Sequence, residues 1–118
     1  MLNDERLEDM AMLIIANAGA ARGAAFEALS QAKRGDFTAA AACMKTAEDY
    51  SHAAHDAHSG LLKLDAKGEV PQLDLLLTHS QDHLLCAALA MDLIAEIVQL
   101  RREFCDMRAL CAPPDSSP

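Results

Sequence analysis

The chain has 118 residues, enough for one domain with one hydrophobic core. Its net charge is −8 and its pI about 4.9, with one Tyr, no Trp and three Phe. That balance lacks the basic patches and stacking rings that nucleic-acid binding needs, and it disfavours an anionic membrane surface for the same reason. Apolar residues make up 52% but aromatics only 3%, so the apolar weight lies in Ala, Leu, Ile and Met, a mixture that favours helix over strand.

The first predicted helix starts near Asn3, an N-cap residue, with Asp4 and Glu5 at the positive end of the helix dipole. Leu7, Met10, Ala11, Ile14, Ala18, Ala21, Ala25 and Leu29 then follow helical spacing. "MAMLIIANAGAA" within it follows an acidic segment and lacks a basic flank, so it reads neither as a signal peptide nor as a transmembrane span. Gly19, inside this helix, is expected to lie where another backbone or an imidazole packs closely, and Asn17 to make a polar contact between helices. Lys33 and Arg34 sit at the dipole's negative end, and Gly35 is a helix-terminating residue.

Asp36 caps the second helix, whose stripe is Phe37, Ala40, Met44, Ala47, Ala54, Leu61 and Leu62, ending near Leu64. "DAKGEVP", residues 65–71, reads as a turn through Gly68 and Pro71. The third helix runs from about Gln72 to beyond Phe104, and "CAPPDSSP" closes the chain with the composition of a disordered tail. Residues 1–104 therefore form one helical domain and 105–118 a helix extension plus tail. With helices of about 30 residues and two short connections, the expected fold is all-α, an up-down-up antiparallel three-helix bundle. Cys43, Cys86, Cys105 and Cys111 show no C-x-x-C spacing and read as free thiols of a cytoplasmic protein.

The third helix holds an anomaly. "LLLTHSQDHLL", residues 75–85, interrupts an apolar run with His79, Asp82 and His83, which share one helix face at i, i+3 and i+4. On a helical wheel Leu75, Asp82, His83, Cys86, Ala90, Leu93 and Ile97 fall within roughly 60° of His79. A second arc of Leu76, Ser80, Leu84, Ala87, Met91, Ile94 and Val98 lies roughly 90° away. Two partner helices cannot cover that much apolar surface, so further copies of the chain are expected, most simply in a symmetric homo-oligomer. Three polar groups on such a face each need a partner. They fit a hydrogen-bonded cluster, or a metal site with His79 and His83 at the spacing of two-histidine sites and Asp82 adding an oxygen. They also fit nucleophilic catalysis by an imidazole that is phosphorylated on one ring nitrogen and oriented through the other. "HAAHDAH" supplies a second histidine group, His52, His55 and His58, on the middle helix.

Four stretches decide among these. "IIANAGAARGAAFEAL" (14–29), "AKRGDFTAAAACM" (32–44), "AHDAHSGLL" (54–62) and above all "GEVPQLDLLLTHSQDHLL" (68–85) resemble one family. It is the lactose/cellobiose/chitobiose-type IIA component of the bacterial phosphoenolpyruvate-dependent sugar phosphotransferase system. The last stretch is similar to that family's Gly-Glu…Leu-Leu-x-His-Ala-Gln-Asp-His-Leu signature, with Ser80 in place of Ala. In "AHDAHSGLL", His58 and Ser59 stand where Gln and Thr are common.

The resemblance implies a homotrimer of three-helix subunits, a nine-helix bundle, in which His79 accepts a phosphoryl group from the histidine phosphocarrier protein and passes it to a cysteine of the IIB component. It makes His83, His55 and His58 candidates to orient or hydrogen-bond that group. It places Asp82 at the trimer axis around a metal ion, for which Mg²⁺ is the expected hard cation. Two carboxylates ~5 Å apart at an effective dielectric of ~20 repel by about 3 kcal/mol, so three at one axis need a cation or protons. The competing reading is a trimeric helical metal-binding or regulatory scaffold without phosphotransfer.

Overall fold

A computed structural model describes residues 3–70 and 75–111. It contains α1 (Asp4–Lys33), α2 (Phe37–Ala66) and α3 (Leu75–Cys111), with no strand among the described residues. The expected helix start at Gln72, the turn residue Pro71 and the tail from residue 112 lie outside the described residues. One end of the core unites Leu7, Ala11 and Ile14 of α1 with Ala54 and Leu61 of α2 and Leu77 and Leu84 of α3. The other end unites Ala21, Ala25, Ala47, Met91 and Ile94. The first half of α1 thus meets the second half of α2 and the first half of α3, which is the up-down-up arrangement.

Local chemistry sets the helix ends. The Asn3 side chain accepts the Arg6 N–H at 2.8 Å, and Asp36 accepts the Ala39 N–H at 3.0 Å, satisfying donors that a first helical turn leaves orphaned. Gly35 takes φ +79°, a left-handed conformation that costs a side-chain-bearing residue roughly 1–2 kcal/mol. There the Gly35 N–H reaches Ala32 O and the Asp36 N–H reaches Gln31 O, both at 3.0 Å, closing α1. Gly68 repeats the motif at φ +75°, its N–H on Asp65 O and that of Glu69 on Leu64 O, which carries α2 to Ala66 instead of the expected Leu64.

The buried residues of α1 are Leu7, Ala11, Ile14, Ala18, Ala21, Ala25, Ala28 and Ala32, alternating steps of four and three. Those of α2 are Ala40, Ala47, Ala54 and Leu61, a heptad apart. On α3, Leu77, Ser80, Leu84, Ala87, Met91 and Ile94 take steps of three and four. A 3.5-residue period is the seam of a left-handed coiled coil. Alanine at most α1 and α2 seam positions removes the side-chain bulk that would hold two helix axes apart, so α1 and α2 pack closely. The first helix also packs along α3, while α2 and α3 touch far less.

One expectation is corrected. Nothing lies within 4 Å of a Cβ placed on Gly19, so neither a backbone nor an imidazole of this chain crowds it. By length and composition, α1 and the Leu75–Ala109 part of α3 are long and apolar enough to cross a membrane, which by itself is weak evidence of a span. Core helices of a bundle pass the same test, and here the apolar residues are divided between a buried seam and exposed stripes.

The fully buried Ala47 leaves no room for growth. Ala47→Leu is expected to lose about 1–3 kcal/mol by overpacking the α1–α2 seam, measured as a lower urea midpoint at unchanged slope.

Candidate functional site

The α3 seam decides which residues face outward. With Leu77, Ser80, Leu84 and Ala87 buried against the bundle, His79, Asp82 and Cys86 are exposed and His83 is half-buried. Ser80 is completely buried, yet its hydroxyl donates to Leu77 O at 2.7 Å, so a hydroxyl at this core position is satisfied within its own helix.

One turn apart, His79 and His83 meet through their Nε2 atoms at 3.0 Å. Their ring centroids are 4.4 Å apart and the planes cross at 84°. Such a contact holds one proton: one ring donates Nε2–H and the other accepts with its Nε2 lone pair. When His83 is the donor, His79 carries the lone pair a nucleophile needs, and the tautomer is set by a neighbour on the same helix.

His79 separates two hollows. One is lined by Ala18 and Arg22 of α1 with His79, Asp82, His83 and Cys86 of α3. The other is formed by Leu75, Leu76 and His79 and is mostly apolar. The exposed imidazole of His79 thus borders both hollows.

The other expected histidines lie elsewhere. His55 and His58 line a groove between α2 and α3 with His52, Leu84 and Leu85, and His79 is not part of it. His58 Nε2 is 3.3 Å from Gln81 Nε2, an amide that donates when the ring nitrogen is bare. Within one chain His83 alone of the three candidates touches His79. The physical reason is that α2 meets the Gln81–Leu84–Leu85 side of α3, whereas His79 lies on the side shared with α1.

Asp82 is exposed and forms no ion pair; among the described residues the one ion pair is Lys45–Asp49 at 2.8 Å. Among them, too, no three His, Cys, Asp or Glu side chains converge as metal ligands. One chain therefore offers a metal at Asp82 a single carboxylate. Cys43, Cys86 and Cys105 are free thiols, as their spacing suggested. Asn17 bonds its own helix, Nδ2 donating to Leu13 O at 2.9 Å, instead of bridging helices. Arg22 lies inside the family-like stretch 14–29, where no spacing to another polar group singles it out; its place four residues after the buried Ala18 is the signal that puts it beside α3.

The family described as "PTS system, Lactose/Cellobiose specific IIA subunit" matches residues 9–102. The chain belongs to this family. It is therefore a IIA component of a sugar phosphotransferase system. It is 40% identical over 99 residues to the N,N'-diacetylchitobiose-specific EIIA component of Escherichia coli K12, covering 84% of this chain and 85% of that one. It is 33% identical over 105 residues to the lichenan-specific IIA component of Bacillus subtilis, covering 89% and 96%. The crystal structure of the cellobiose-specific enzyme IIA from Bacillus anthracis superposes with a TM-score of 0.81 at 34% identity, over 88% of this chain and 94% of that one. The IIA(chitobiose)–HPr complex of the Escherichia coli phosphotransferase system, solved in solution, gives 0.74 at 39% identity over 83% and 95%. The three-helix architecture of this IIA chain is thus that of its family.

The shared proton is open to measurement. Long-range ¹H–¹⁵N spectra at alkaline pH are expected to show one protonated and one bare Nε2 across His79 and His83. In His83→Ala, His79 is expected to revert to the tautomer mixture of a free imidazole.

Proposed function

We propose that this chain is the phosphoryl carrier of its system, with His79 as the residue that carries the phosphoryl group. The observation that carries this reading is the ring pair: an exposed imidazole whose Nε2 is paired to His83 at 3.0 Å within the family signature. In the step proposed, a lone pair of neutral His79 attacks the phosphorus of a phosphohistidine on the donor. The new N–P bond forms as the donor's N–P bond breaks, and the electron pair of the broken bond stays on the donor nitrogen. Phosphoryl transfer of this kind depends on positioning and on donors around the oxygens more than on covalent help. His83 supplies an N–H that turns from His79 to a phosphoryl oxygen once the lone pair is used.

The donor proposed is the histidine phosphocarrier protein, a choice supported by the similarity to a IIA solved in complex with HPr. The acceptor proposed is a cysteine of the IIB component, and the place of action the cytoplasm. His55 and His58 are assigned no contact with the phosphoryl group in their own subunit, since they face the α2–α3 groove.

The assembly proposed is a homotrimer about α3. Its support is the second stripe of that helix, in which Leu75, Leu89, Leu93 and Leu100 are between 55% and 85% exposed and continue into Phe104 and Met107. Those positions lie on the flank that carries His79, Asp82 and Cys86, and apolar surface on that scale requires cover. Three copies of Asp82 at the axis supply the oxygen ligands that one chain lacks and suit Mg²⁺, which would offset their mutual repulsion.

With a complete phosphoenolpyruvate-driven donor chain, one acid-labile phosphoryl group per chain is expected by mass. None is expected in His79→Gln, and slower acceptance in His83→Gln. Phosphate retained in His79→Gln and lost in His83→Gln would reassign the nucleophile. An unmodified wild type would favour the scaffold reading.

Sedimentation equilibrium is expected to show a trimer at micromolar concentration, destabilised by chelator. Asp82→Leu is expected to be indifferent to chelator and more stable by a few kcal/mol per trimer, because apolar replacement removes repulsion and desolvation together. A less stable Asp82→Leu, in a wild type that ignores chelator, would move Asp82 off the axis.

A further inference from the structure

A phosphoryl group on His79 would bring nearly two negative charges into a hollow that already holds the Asp82 carboxylate, in a chain of net charge −8. Something must offset that charge if the phosphorylated form is to build up. Among the described residues lining the hollow, Arg22 is the one cation. Its helical turn is anchored there, since Ala18, four residues earlier, is 2% exposed in the seam and lines the same hollow.

The guanidinium of Arg22 is held loosely. Among the described residues it makes no ion pair, and its partner is the ring of Phe26, with Cζ 5.0 Å from the centroid. Phe26 is itself 45% exposed, and a cation–π contact at an exposed site is weak. A planar fork of N–H donors, always charged and carried on a long flexible stem, matches phosphate oxygens bidentately and outcompetes an aromatic face once an anion arrives. Asp82, a single exposed carboxylate in the same hollow, leaves Arg22 unpaired before phosphorylation.

We propose that Arg22 is a phosphoryl-binding residue, which leaves Phe26 and donates to the phosphoryl oxygens on His79. The covalent step is the one written above; Arg22 gains and loses no proton and acts by charge and hydrogen bonding alone. The inference rests on His79 as the carrier. It adds to that reading a cation from α1, a helix that holds none of the histidines.

The test uses the full chain with a phosphoenolpyruvate-driven donor system and compares wild type, Arg22→Gln and Arg22→Lys. Arg22→Gln is expected to lower kcat/KM for phosphoryl acceptance and the lifetime of the phosphohistidine on the order of tenfold. That is less than the ~10²–10³ of a preorganised oxyanion site, because Arg22 reaches the phosphoryl group on a long flexible stem. Arg22→Lys is expected to recover part of both losses, with melting temperature and oligomeric state unchanged in either variant. In the wild type the Arg22 Nε–H resonance is expected to shift on phosphorylation. Wild-type acceptance and lifetime in Arg22→Gln overturn the proposal. So do equal losses in both variants accompanied by a lower melting temperature, which would mark a packing role. A wild type that takes no phosphoryl group on His79 overturns the carrier reading, and the Arg22 proposal with it. That result is distinguishable from a phosphorylated protein that ignores the Arg22 substitution.

Discussion

The seam between α1 and α3 is the constraint on which everything else depends. Leu77, Ser80, Leu84 and Ala87 are locked against a stripe of α1 that is largely alanine, and this fixes the rotation of α3 about its own axis. A helix repeats every 3.6 residues, so burying those four positions turns His79 and Asp82 out to the surface. A rotation by one residue would put Ser80 and His83, or Thr78 and Gln81, in their place. The exposed His79–Asp82 face is thus a by-product of core packing, and the alanines of α1 matter to it because they hold α3 close and in register.

The second consequence concerns how the imidazole is prepared. A nucleophilic histidine usually has its tautomer set by a carboxylate or a carbonyl from elsewhere in the fold. In this chain the Nε2 of His79 meets another imidazole, that of His83 one helical turn away, at 3.0 Å. Both rings hang from one rigid rod whose Cα geometry varies little, so the pair needs no loop and no second helix to assemble it. That economy leaves the surroundings open, with an apolar hollow on one side and the Arg22–Asp82 hollow on the other. An open site of this kind suits the carrier role proposed for His79, which presents one group in turn to a donor and an acceptor, better than it suits an enzyme that must exclude water.

The third consequence is an imbalance of surface. The bundle uses one stripe of α3 for its own core and leaves the other in solvent, with Leu75 at 85% exposure. Small seam residues aggravate this, because alanine brings the helices close while burying little area per residue. A single subunit therefore gains little from each seam contact and retains an apolar flank. The trimer proposed about α3 would answer both shortages at once and bring carboxylates from separate chains toward one another.

How much of this the sequence determined follows from the range of the forces involved. The caps Asn3 and Asp36, the glycine stops at 35 and 68 and the helix type were legible because they rest on contacts within about five residues. The meeting of His79 and His83 was legible for the same reason, since i and i+4 neighbour one another on any helix. The wheel also separated the two arcs of α3, although not which of them the chain buries for itself; the structure buries the Ser80–Leu84–Ala87 arc because that one faces α1. The tertiary structure alone decided that His55 and His58 face a different groove and that Arg22 shares the hollow of His79. It alone decided that Gly19 meets nothing within its own chain. Those outcomes depend on the rotation and axial offset of one helix against another. Such quantities are set by the summed packing of whole seams, and no local pattern of residues encodes them.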